Sequence, residues 1–99
     1  MGNVEKQIVE KLKRDFNPLA LEITNESVNH HRKPGSESHF KVILVSELFV
    51  GVSSIDRHRK VYTCLELEMK TVHMLALKTL TPQEWEKFDK STFVPPKHG

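Results

Sequence analysis

Residues His39 to Ser46 constrain this chain more than any other segment. Phe40, Val42 and Leu44 alternate with Lys41, Ile43 and Val45. Period two makes the segment a strand, and apolar residues on both faces make it an interior strand that needs neighbours and cover. A chain of 99 residues has room for one domain and one modest core. The remaining elements therefore have to pack around this strand.

Two more strands are legible. Leu19, Leu21 and Ile23 alternate with Ala20, Glu22 and Thr24 as a half-buried strand. Thr71 to Leu80 reads as the third, with Val72, Met74 and Ala76 on one face and His73, Leu75 and Leu77 on the other. Asn3 is read as the N-cap of an amphipathic helix in which Val4, Ile8, Val9 and Leu12 recur, stopped at Asn17-Pro18. Phe49-Val50-Gly51 turns the chain, and Ser53 or Ser54 caps a second helix from about Ile55 to Met69. Its buried stripe is expected to be His58, Val61, Tyr62, Leu65 and Met69. Thr81-Pro82-Gln83-Glu84 is a capping-box start for a last helix that turns Trp85 and Phe88 to the core.

The order αββαβα predicts an α+β two-layer sandwich with its helices on one face of the sheet. The whole chain, 1–99, reads as a single domain, its core running from about residue 4 to about residue 90 with a loose tail after it.

Composition removes several classes. Cys64 is the only cysteine, so an intramolecular disulfide, an all-cysteine iron–sulfur cluster and a four-thiolate zinc site are excluded within one chain. A reducing compartment is the simplest expectation. Formal net charge is +2, which asks for no polyanion. No apolar run reaches the ~18 residues of a membrane span. The N-terminal stretch carries Glu5, Glu10 and Asp15 and resembles neither a transit nor a signal peptide, and Lys6 stands where a myristoylation site wants Ser or Thr. No spacing matches a nucleophile elbow, a phosphate loop or a zinc-hydrolase helix, so an enzyme is not expected.

The candidate chemistry lies in histidines and a basic cluster. His73 on its strand reads either as a satisfied core or edge histidine or as a ligand. His30 and His31 sit in a long polar stretch from Asn25 to Ser38, and such connections are often functional. They read either as solvated or as ligands. His39 reads as structural, fixing the loop, and His58 as a core residue of the second helix. Arg57, Arg59 and Lys60 form a basic run that is either a solvated face or a contact surface for phosphates or acidic groups. Lys41 is a further cation for such a surface. No Gly-x-x-Gly loop is present to clamp a nucleic-acid backbone. Cys64 reads as a small half-buried residue without redox function.

Pro34-Gly35-Ser36-Glu37-Ser38-His39-Phe40 resembles the segment that opens the second strand of BolA-family proteins. Arg57-His58-Arg59-Lys60-Val61-Tyr62 resembles that family's second-helix start. Val72 to Thr79, followed by Thr81-Pro82-Gln83-Glu84-Trp85, resembles its last strand and helix. The resemblance runs from Val4 to Pro96.

It implies a class II KH-like fold with a three-stranded mixed sheet. It also implies a non-enzymatic adaptor in iron–sulfur cluster assembly, trafficking or iron regulation. Its partner would be a monothiol glutaredoxin with glutathione, sharing a [2Fe–2S] cluster, with no cofactor expected in the isolated chain. The family's C-terminal ligand falls on His73 and its loop ligand on His30, with His31 as competitor. Met74 stands where the family pattern has alanine. The alternative is a nucleic-acid-binding transcription regulator using the second helix with Arg57, Arg59, Lys60 and Lys41. The free chain is expected to be a monomer. A cytoplasmic location is expected, with nuclear residence open and a mitochondrial one if a presequence has been removed.

Overall fold

A computed structural model describes residues 2–27 and 37–92. Helix α1 spans Asn3–Phe16, strand β1 Ala20–Asn25, strand β2 His39–Val45, helix α2 Ser54–Cys64, strand β3 Met74–Leu80 and helix α3 Pro82–Lys87. Short 3-10 turns cover Glu47–Phe49, Glu68–Lys70 and Lys90–Thr92. The order is αββαβα, as the sequence patterns require.

β2 is the central strand. It pairs antiparallel with β1, Glu22 opposite Ile43, and parallel with β3, Lys41 opposite Ala76. The parallel pair needs a crossover, and α2 provides it. On one face Phe40, Val42, Leu44, Leu75 and Leu77 meet Ile8, Leu12 and Phe16 of α1 and Val61 of α2, with Phe49 and Leu65, in one cluster. Burying each such side chain contributes ~1.5–3 kcal/mol.

The other face corrects the one-sided sandwich. Ile43, Val45 and Leu80 form a second, smaller cluster with Ala20, Trp85 and Phe88. α3 thus lies across the sheet from α1 and α2. The cause is the one read at β2: a strand apolar on both faces has to be covered on both.

α2 also ends earlier than its apolar spacing suggests, at Cys64 rather than Met69. Beyond it Glu68 is buried against Lys11, N···O 2.9 Å. A buried carboxylate requires such a partner. Gly51 makes the preceding turn possible at φ +79°, where a side chain would be strained. Asn17 stops α1 in the left-handed region, φ 42°, its N–H donating to Lys13 O.

Candidate functional site

His73 directly precedes β3 and is exposed. Its backbone N–H donates to Ser38 O at 2.8 Å, and Met74 N–H reaches the same carbonyl at 3.1 Å. That shared acceptor ties the start of β3 to the start of β2. His39 opens β2 and is buried, its Nδ1 2.8 Å from Ser38 Oγ. The two imidazoles stack, centroids 6.1 Å apart with 22° between planes. The inner ring is held and the outer ring is presented. This agrees with a structural His39 and moves His73 off the buried face of Leu75 and Leu77 to the open end of the sheet.

The histidine-bearing stretch springs from the same end. Ser27, itself buried, accepts at Oγ from Ser38 N–H (3.0 Å) and His39 N–H (3.2 Å). Glu26 N–H donates to His39 O at 2.7 Å, and Asn25 Oδ1 receives Ser27 N–H at 3.0 Å. Both ends of the stretch are therefore pinned beside His73. His30 and His31 themselves lie outside the described residues. Among the described residues no group of three His, Cys, Asp or Glu side chains is placed to hold a metal ion.

Glu37 has a function that no local motif signals. Its carboxylate accepts from Val4 N–H (3.2 Å) and Glu5 N–H (2.8 Å), capping α1 from a distant part of the chain. The α1 N-cap is Gly2, not Asn3, and makes no side-chain cap bond. A Cβ on Gly2 would overlap the Glu37 carboxylate.

The basic cluster divides. Arg59 and Lys60 are exposed and line an open groove with Gly51, Val52, Asp56 and Thr63. Arg59 is also 3.7 Å from Asp56. Arg57 is not part of that surface. It is buried and turned inward, donating from Nε to Val52 O (2.8 Å) and from Nη1 to Thr79 O (3.3 Å) and Glu84 Oε1 (2.8 Å). It also lies over the Phe49 ring, 5.7 Å from its centroid. Its charge is spent inside the molecule, so it is withdrawn from the candidate contact residues. Lys41 is half-buried on the α3 side of the sheet, away from α2. The structure therefore does not bring the four cations together.

His58 is half-buried, and burial, then the charges of Lys78 and Arg57, hold its pKa below the usual range. Tyr62 is exposed and not in the expected stripe. Cys64 is half-buried, its Sγ 3.7 Å from Lys11 O, and its thiol pKa is pushed up to about 12, by burial first and then by the Asp15 carboxylate. No described helix is long and apolar enough to cross a membrane.

A small α+β domain with a mixed three-stranded sheet, helices on both faces and two imidazoles at one sheet end defines the class of protein. The chain belongs to the BolA-like protein family, whose profile matches residues 12–84. It is 46% identical over 94 residues to the DNA-binding transcriptional regulator BolA of Escherichia coli strain K12, covering 94% of this chain and 90% of that one. It is 41% identical over 100 residues to BolA-like protein 1 of Homo sapiens, covering 100% of this chain and 73% of that one. The solution structure of BolA1 from Mus musculus superposes with a TM-score of 0.83 at 40% identity, covering 100% of this chain and 81% of that one. The BolA domain of SufE1 from Arabidopsis thaliana gives 0.78 at 36% identity, covering 85% and 98%.

Proposed function

We propose that this chain is a non-enzymatic adaptor for iron–sulfur cargo. His73 would complete a [2Fe–2S] cluster whose thiolates come from a monothiol glutaredoxin and its glutathione. The supporting observation is the presented ring of His73, beside a held His39 and at the base of the stretch carrying His30 and His31. The donor chemistry fits: a neutral imidazole is an accepted iron ligand and lowers a cluster's negative charge relative to thiolate. His73 directly precedes β3, its backbone N–H tied to Ser38 O, and would be the fixed donor, whereas His30, or His31 in competition with it, would supply the second ligand.

Co-expression with a monothiol glutaredoxin tests this. The expected result is a coloured heterodimer whose visible circular dichroism differs from that of the glutaredoxin alone. His73→Ala should abolish that difference while leaving the far-ultraviolet spectrum intact. An unchanged visible spectrum in this variant would refute the ligand assignment. Parallel His30→Ala and His31→Ala variants assign the second donor.

A second reading has its own support. The Escherichia coli, Haemophilus influenzae and Vibrio cholerae relatives carry the name DNA-binding transcriptional regulator, and Arg59 and Lys60 are exposed along one groove of α2. A phosphate contact by two cations predicts a log–log salt slope near −2. Titration of duplex DNA at two salt concentrations, with Arg59→Ala and Lys60→Ala, measures it.

A further inference from the structure

The sheet has two outer edges, and the structure treats them differently. On β3, Met74 N–H and Leu80 O face β2, so alternation turns the amides and carbonyls of Leu75, Leu77 and Thr79 outward. Arg57 occupies the Thr79 carbonyl at 3.3 Å, which shortens that edge. On β1, Glu26 N–H bonds His39 O in register with the ladder. Glu22 and Thr24 therefore face β2, while Leu21 and Ile23 turn their N–H and C=O groups to the side on which, among the described residues, no further strand pairs. β1 carries no proline or lysine, and its one charged side chain, Glu22, is paired with Lys90.

This edge is also the floor of a groove. Glu5, Val9 and Lys13 of α1 and Leu21 to Thr24 of β1 line it. The reason is width. Two helices, each ~10 Å across, lie over three strands whose outer axes are only ~10 Å apart. α1 and the edge of β1 thus bound an open groove that runs along the strand. Its rim is polar and oppositely charged at its ends. The short link Asn17-Pro18-Leu19 makes α1 antiparallel to β1, so Lys13 stands by Leu21 and Glu5 by Thr24. Among the described residues neither Lys13 nor Glu5 has an ion-pair partner.

We infer that the α1–β1 groove takes an extended segment of a partner polypeptide, which adds to the sheet as a fourth strand antiparallel to β1. Its backbone pairs with Leu21 and Ile23, and apolar side chains at alternate positions pack on Val9. A basic residue at its N-terminal end meets Glu5 and an acidic one at its C-terminal end meets Lys13. This is strand addition, in which backbone bonds give affinity and alternate side chains give choice. A second copy of this chain would instead pair edge to edge and show itself as a concentration-dependent dimer. The site is on the sheet edge away from β3 and stands independently of the iron–sulfur reading, so the result of its test leaves that reading untouched.

The probe is the end-blocked heptapeptide Lys-Val-Thr-Val-Thr-Val-Asp, titrated into the isotopically labelled full chain. Saturable amide shifts centred on Leu21 and Ile23 are expected, with hydrogen exchange at those two amides slowed several-fold. Backbone N-methylation of one alternate set of peptide residues should weaken binding about ten-fold, and of the other set little, as expected for losing one or two net hydrogen bonds. A doubly exchanged chain, Glu5→Lys with Lys13→Glu, should prefer the peptide with its end charges reversed. Shifts centred elsewhere, equal effects of both methylated sets, or indifference to the charge exchange would overturn the proposal. So would sedimentation showing a concentration-dependent dimer that protects the same amides.

Discussion

His39 opens β2 and His73 directly precedes the neighbouring β3, yet one ring is enclosed and the other is open. The difference comes from Ser27 and Ser38, whose hydroxyls and backbone hold His39 in place. At this scale the sequence was readable where chemistry and period coincide. His73 was legible as a candidate through the family resemblance, since its place beside β3 alone fits a core or edge histidine equally well. Arg57 was not, because a cation next to Arg59 and Lys60 looks solvated. Only the fold shows that Val52 O, Thr79 O and Glu84 converge on it. Cys64 gives a residue-scale prediction. With its thiol held near 12 by burial and by Asp15, little thiolate exists at pH 8. Iodoacetamide should therefore alkylate it at least about ten-fold more slowly than free cysteine, and at the ordinary rate once the chain is unfolded in denaturant. Mass spectrometry of a timed reaction measures this, and equal rates in both states would contradict the assigned surroundings.

Among the elements, the caps of α3 and α1 contrast a local signal with a remote one. α3 carries a complete capping box: Thr81 Oγ accepts Glu84 N–H at 3.2 Å, and Glu84 Oε1 accepts Thr81 N–H at 2.7 Å. Spacing alone predicted it. α1 is capped by Glu37 across a long separation in sequence, and no window of sequence could reveal that. Both caps satisfy amides at a helix start, and the carboxylate at α1 also meets the positive end of the helix dipole. Thr81→Ala and Glu37→Ala should each cost about 1 kcal/mol. Their signatures should differ in place. Glu37→Ala should speed hydrogen exchange at Val4 and Glu5, whereas Thr81→Ala should speed it at Glu84. Denaturant melts give the cost and exchange gives the location. A Glu37→Ala chain with unchanged exchange at Val4 and Glu5 would show that the remote cap is not formed in solution.

For the whole molecule the question is what makes two cores behave as one. The large cluster lies under α1 and α2, the small one under α3, and the sheet separates them. Arg57 crosses that divide. From α2 it reaches the β3 carbonyl of Thr79 and the α3 carboxylate of Glu84, so loosening α3 also disturbs α2. Trp85, the only tryptophan, belongs to the small cluster and reports on it by fluorescence, while far-ultraviolet circular dichroism follows all the helices. In the unaltered chain at pH 7 the two probes should give one coincident unfolding transition. Arg57→Met keeps the apolar stem but removes the bonds, so fluorescence should change at lower denaturant than circular dichroism. The loss should be about 1–3 kcal/mol, with the Glu84 bond at the low end because that carboxylate is half exposed.

Acid should act in the same direction. The Thr81 N–H first, and Arg57 after it, hold the Glu84 pKa below the ordinary carboxylate value. The stabilisation from a depressed carboxylate is complete above that ordinary value and disappears as pH falls through the lowered one. The probes should therefore part in the unaltered chain as the solution is acidified below the usual carboxylate range. In Arg57→Met this acid effect should shrink without vanishing, because Thr81 N–H still bonds the carboxylate. If the two probes stay coincident in Arg57→Met at every pH, the coupling between the cores runs through the sheet and not through this guanidinium.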